Sequence, residues 1–184
     1  MSLRYTPPEI GQLSDEQQRV AEKITGGMRG EIPGPLNMWL LRPELADRAQ
    51  HLGEYARYQS SLPPELSEIA ILTVARHWGS EFEWCAHKKI ALAAGISADV
   101  IECIRNRQDA PWQRPEQSVV HEFTKELLEN LKISDSCFEK TVLALGRESV
   151  VDLVGIIGYY SFISMTINVF DVPIPDGVAP ELSA

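Results

Sequence analysis

Four residues in one short stretch have the types and spacing for proton chemistry: Glu68, Ser80, Glu83 and His87. Glu83 and His87 are four apart, so on a helix starting at Ser80 they share a face. Glu68 lies twelve residues before Ser80, on a segment that must fold back once Gly79 breaks the chain. Two carboxyls and an imidazole in one pocket push at least one pKa upward, and that suits proton transfer. A helix N-terminus at Ser80 would also favour an anion or a developing oxyanion. A plainer reading stands beside this one: Ser80-Glu81-Phe82-Glu83 is an S-x-x-E capping box, in which Ser80 and Glu83 only cap the helix. On spacing alone the two readings are level. Glu68, set among Leu66, Ile69, Ala70 and Leu72, needs a partner in any case, because a buried unpaired carboxylate is costly. That partner is either the site or an arginine such as Arg76.

The elements that must position these residues read as helices throughout. Residues 1–12, with Pro7, Pro8 and Gly11, form an N-terminal arm. Ser14 with Gln17 is a capping box opening a helix to about Met28. Glu31 to Arg42 is a Pro/Gly loop with a short apolar turn, and Trp39 there reads as a plug for a groove. Pro43 opens a helix to about Tyr58 whose buried face is marked by Leu45, Ala49, Leu52 and Ala56. Pro63-Pro64 opens a central helix ending near Trp78. After the Ser80 helix, Gly95-Ile96-Ser97 ends one helix and caps a short one. Residues 106–117 form a loop that is a lid or a subunit contact. Helices follow at about 116–130, 137–145 and 150–169, the last apolar on most faces and so central or at a subunit interface. The tail, residues 171–184, carries Pro173, Pro175 and Pro180 and cannot stay helical. No strand run or internal repeat is visible. The expectation is an all-α single domain, residues 13–170, of about seven or eight helices.

Composition narrows the function. With 184 residues, 44% of them hydrophobic, the chain is long enough for one well-buried domain. A formal net charge of −9 argues against nucleic acid or an anionic membrane surface as partner. The first 30 residues lack the pattern of a signal peptide, and no apolar stretch approaches the roughly 20 residues of a membrane span; the closest, 150–172, is interrupted by Asp152, Ser161, Ser164, Asn168 and Asp171. Cys85, Cys103 and Cys137 have neither CxxC nor zinc-finger spacing and read as reduced thiols of a cytoplasmic protein. No metal site and no nucleotide-binding loop is visible.

The pattern Glu68-(eleven residues)-Ser80-x-x-Glu83-x-x-x-His87, set in ELSEIAILTVAR and EFEWCAHKKIALAAGIS, resembles the carboxymuconolactone decarboxylase family, which is related to alkylhydroperoxidase D. The similarity extends through GPLNMWLLRPELADR, the Ser134 helix and the VDLVGIIGYY run. The resemblance implies an all-helical domain that assembles as a homotrimer or homohexamer, uses no cofactor and acts on a small-molecule substrate. In the peroxidase branch a CxxC pair stands where this chain has Ser80 and Glu83, with Glu68 and His87 matching its proton relay. Cys85 lies two residues past the second position, about 200° around the helix, and does not substitute for it. In the decarboxylase branch, which acts on γ-carboxymuconolactone in aromatic catabolism, His87 would donate to the forming oxyanion or protonate the product. Glu68 or Glu83 would set its protonation state, and Ser80 would hold a substrate carboxylate. Trp39, Trp84 and Tyr159 would wall the pocket, with Arg42, Arg57 and Arg76 as further candidates for the carboxylates. The expected activity is thus a carbon–carbon lyase, the alternatives being a peroxidase or a non-catalytic ligand-binding member of the fold.

Overall fold

A Ser14 hydroxyl that accepts the Gln17 amide, with the Gln17 side chain returning to the Ser14 amide, starts the first helix as its capping box requires. The computed structural model describes residues 4, 6–175 and 177–182; parts of the expected arm (1–3 and 5) and tail (176, 183 and 184) lie outside them. Among the described residues there are nine α-helices and no strand. They are α1 (Asp15–Gly26), α2 (Gly34–Trp39), α3 (Pro43–Glu54), α4 (Pro64–Trp78), α5 (Glu81–Ala93), α6 (Ala98–Asn106), α7 (Pro115–Asn130), α8 (Asp135–Leu145) and α9 (Arg147–Phe170). The apolar turn around Trp39 is a helix of its own, α2. A π-helical segment, Tyr55–Gln59, extends α3; such widened turns recur at functional sites because they re-aim side chains.

Every position from Leu66 to Ala75 on α4 is buried, so this helix is the axis of the domain, and α5, α7 and α9 pack directly on it. By length and composition alone α9 is apolar enough to cross a membrane, which corrects the expectation that no stretch approaches that length. One face of it is instead core: Leu153, Ile156, Ile157, Tyr160 and Ile163 are buried against the rest of the domain. Val151, Val154, Met165 and Val169 on its other face are exposed.

The face of α3 also differs from the expectation. Ala49 and Ala56 are buried as expected, but Leu45 and Leu52 are about half exposed, and Ala46, Gln50 and Gly53 are the other residues turned inward. The reason is close approach. A Cβ on Gly53 would collide with the Tyr159 hydroxyl and the Arg29 guanidinium, so only the small-residue face of α3 fits there.

Gly79 makes the turn that brings the site together. At φ +60° it occupies the left-handed region, where glycine is least strained. The Ser80 amide then bonds the Ala75 carbonyl at 2.9 Å, and α5 runs back along α4.

Candidate functional site

That reversal sets His87 against Glu68. His87 Nδ1 lies 2.7 Å from Glu68 Oε2, and His87 Nε2 lies 3.1 Å from Glu83 Oε1. All three side chains are buried, each about 5% exposed or less. Burial pushes the imidazole pKa down, but the charges of Glu68 and Glu83 and their hydrogen bonds outweigh it and raise His87 to about 9. At neutral pH the ring is therefore an imidazolium that donates one N–H to each carboxyl. With both nitrogens engaged it offers no lone pair to a metal.

Glu83 and His87 line a cavity of about 410 Å³, while Glu68 supports His87 from the side away from it. Phe82, Ala86 and Ile90 come from the same face of α5, and Tyr160 from α9. The Tyr160 ring meets His87 edge-on at 4.9 Å. Two arginines, Arg29 after α1 and Arg57 on the π-helical segment, line it as well, as do Glu31 and residues 32–36. Neither arginine makes an ion pair with a described residue. Arg29 donates to the Tyr159 hydroxyl at 3.3 Å, and its Nε is buried without a partner among the described residues. An unpaired buried donor is costly unless a ligand or water meets it.

The remaining expected site residues are placed elsewhere. Ser80 makes no side-chain cap to α5, so the capping-box reading fails: Glu83 is engaged by His87 instead. The Ser80 hydroxyl is buried, has no partner among the described residues and does not line the cavity. Trp39 stacks on Phe162 at 4.5 Å and donates its indole N–H to Thr166 at 2.9 Å. It is a plug between α2 and α9. Trp84 donates its indole N–H to Glu181 at 3.1 Å, and Tyr159 meets Trp39 and Arg29. None of the three lines the cavity; Tyr160, one residue past Tyr159, does.

Of the arginines considered for substrate carboxylates, Arg57 lines this cavity, Arg76 lines a different one, and Arg42 precedes α3 at the surface. Arg29 carried no sequence signal, since a loop arginine between two glycines fits no periodicity. The tail adds a wall and a strap: Pro175 lines the cavity, and the amides of Glu181 and Leu182 bond the Glu81 carboxyl at 2.9 and 2.6 Å. The three thiols are free and none lines the cavity. Burial and the nearby Glu126 push the Cys137 thiol up to about 11, away from the thiolate that redox chemistry needs.

The comparisons agree with this architecture. Among solved structures, the debrominase Bmp8 (apo form) matches with a TM-score of 0.75 and 14% sequence identity, covering 94% of this chain and 92% of that one. The alkylhydroperoxidase AhpD core protein of Ralstonia eutropha JMP134, described as an uncharacterized peroxidase-related protein, matches with a TM-score of 0.77 and 16% identity, covering 94% and 92%. A peroxidase-related protein of Silicibacter sp. TM1040 matches with a TM-score of 0.72 and 16% identity, covering 94% and 90%. Curated proteins provide no match. The fold is therefore that of the alkylhydroperoxidase D-like proteins. The sequence profile of the carboxymuconolactone decarboxylase family matches residues 43–113, a span that holds Glu68, Glu83 and His87.

Proposed function

We propose that this protein is a cofactor-independent enzyme that catalyses decarboxylation, or a closely related proton transfer, on a small carboxylated lactone. The observation that carries the proposal is the Glu68–His87–Glu83 relay, closed on one side and open to the cavity at Glu83. The family match over the same residues supports it.

In such a reaction the bond between carbon and the carboxylate breaks and CO2 leaves. The electron pair stays behind and is delocalised onto the lactone carbonyl oxygen, and a proton must then reach carbon. Glu68 holds the imidazole ring in register, as the buried carboxylate does in other acid–base triads. His87 and Glu83 share the proton nearest the cavity, so they are its source. Arg57 and the orphaned Nε of Arg29 supply the positive field for substrate carboxylates and for the forming oxyanion. Tyr160 and Ile163 provide the apolar wall that keeps those charges strong. Assembly into a trimer or hexamer is part of the same proposal: the exposed stripe Val151, Val154, Met165 and Val169 is a face that a second copy would cover, checked by sedimentation.

The direct test is CO2 release from γ-carboxymuconolactone by the wild type, Glu83→Gln and Arg57→Gln. Turnover that falls about 10²- to 10⁴-fold in Glu83→Gln supports the relay. A raised KM in Arg57→Gln supports the carboxylate contact. Full turnover in Glu83→Gln, or none in the wild type, removes this reaction from the site.

A further inference from the structure

The other flank of α4 carries a second cavity, of about 270 Å³, walled by α4, α6, α7 and the loop 107–112. The relay uses none of its residues. Thr73 and Glu68 are five apart on α4, about 140° around the helix, so the two cavities lie on different sides of it.

Hydrogen-bond logic fixes the state of one of its groups. The Thr73 hydroxyl bonds the Ile69 carbonyl at 2.7 Å, and a carbonyl can only accept, so the hydroxyl's single proton is used there. The 3.0 Å contact between Thr73 Oγ1 and His121 Nδ1 must then be an imidazole N–H donating to the hydroxyl oxygen. Burial, reinforced by Lys125, pushes the His121 pKa down to about 4, so the ring is neutral at physiological pH. Its Nε2 is left as a bare acceptor with no hydrogen-bond partner among the described residues.

Charge and shape give the rest. Arg76, Arg107 and Lys125 line the cavity, and none of them makes an ion pair with a described residue. Arg76 and Arg107 repel each other, which is unexpected in a chain of net charge −9. Of the acidic residues at the rim, Glu122 is held by Lys140 at 2.5 Å. Asp109 and Glu129 make no ion pair with a described residue, so a polyanion would be repelled while a single negative charge is welcome. Trp112 presents its ring 5.1 Å from that of His121, over an apolar floor that includes Ile104 and Leu128.

We infer that this cavity is a second ligand site, for a small flat aromatic monocarboxylate bearing a hydroxyl or N–H donor. The carboxylate faces Arg76, Arg107 and Lys125, the ring lies against Trp112, and the donor bonds His121 Nε2. The inference is independent of the chemistry assigned to the first cavity.

The test is a titration of the full chain with 4-hydroxybenzoate, followed by NMR at the Trp112 indole and the His121 ring. The expected result is saturable binding with a Kd of about 0.1–1 mM, with shifts centred on those two residues. Arg107 and Lys125 are exposed, so Arg107→Gln/Lys125→Gln should fold normally and bind about tenfold more weakly. Benzoate, which lacks the donor, should also bind several-fold more weakly. The site is overturned by an absence of saturable shifts at Trp112 and His121, by unchanged affinity in the double variant, or by shifts confined to His87 and Tyr160. Equal affinity for benzoate overturns the role given to His121.

Discussion

The two histidines that flank α4 are both withdrawn from water, yet they are held in opposite states. His87 meets two carboxyls and is raised to about 9; His121 meets one hydroxyl and a neighbouring lysine and falls to about 4. Burial pushes both rings down, so the partners decide the sign. The consequence is chemical. A ring kept charged at neutral pH between two carboxyls can hold and pass a proton, whereas a neutral ring that donates through one nitrogen leaves the other as a hydrogen-bond acceptor. One helix thus carries two sites of different character, distinguished by what faces each imidazole.

The largest test of that contrast is truncation. His87→Ala strands two carboxyls in a buried setting and should cost about 3–5 kcal/mol of stability, as breaking a buried ion pair does. His121→Ala removes one neutral hydrogen bond and should cost only about 1 kcal/mol. Urea denaturation of the two variants reads both numbers, and equal losses would end the argument that partners separate the two sites. Glu68→Gln is the gentler form of the same test. It keeps the shape and the hydrogen bond but removes the negative charge, so the His87 pKa should drop from about 9 toward its ordinary value. NMR titration of the ring measures that drop directly; an unmoved value would mean that Glu83 alone holds the charge.

Legibility in the sequence divides along similar lines. Glu68, Glu83 and His87 could be read because their spacing on two helices and the break at Gly79 leave little geometric freedom. The competing roles of Glu83 could not be separated, since a capping box and an i, i+4 pair use the same residue. The aromatic walls are ambiguous in the sequence for a different reason. On a helix as apolar as α9, periodicity does not say which of two adjacent tyrosines faces the site, and Tyr160 rather than Tyr159 does. The leucines of α3 misled because size suggested burial, while close packing at Gly53 selected the small-residue face. Arg29 and His121 depend on contacts 130 and 48 residues distant in the chain, which no local pattern encodes. The helical class was legible throughout, because caps, prolines and glycines mark nearly every boundary. Only α2, lying within a Pro/Gly segment, looks like a turn in the sequence.

A smaller effect appears in the pH dependence of stability. The folded-state pKa of His87 lies above its unfolded value near 6.5, so its contribution is complete below pH 6.5 and is lost as pH rises through about 9. His121 is held below its unfolded value. Its neutral state is fully favourable above pH 6.5, and stability is lost as pH falls from there toward about 4. Denaturation midpoints measured from pH 4 to 9.5 should therefore fall on both sides. His87→Gln should flatten the alkaline limb and His121→Gln part of the acid limb. An alkaline limb that survives in His87→Gln would show that the ring is not held charged in the native state.

The smallest expected effect concerns the strap that binds the tail to α5. Glu181 accepts from the Lys88 ammonium at 2.6 Å and from the Trp84 indole at 3.1 Å. The ion pair is one-third exposed on each side, so screening limits its worth to about 1 kcal/mol or less. Glu181→Gln keeps a side-chain oxygen for the indole and removes only the charge, and it lies outside the cavity that Pro175 helps to line. Its melting temperature should fall slightly, with turnover changed less than about twofold. A large loss of turnover with little change in melting temperature would mean that the strap positions the cavity wall at Pro175. The difference between the two sites would then depend on the tail as well as on the partners of each imidazole.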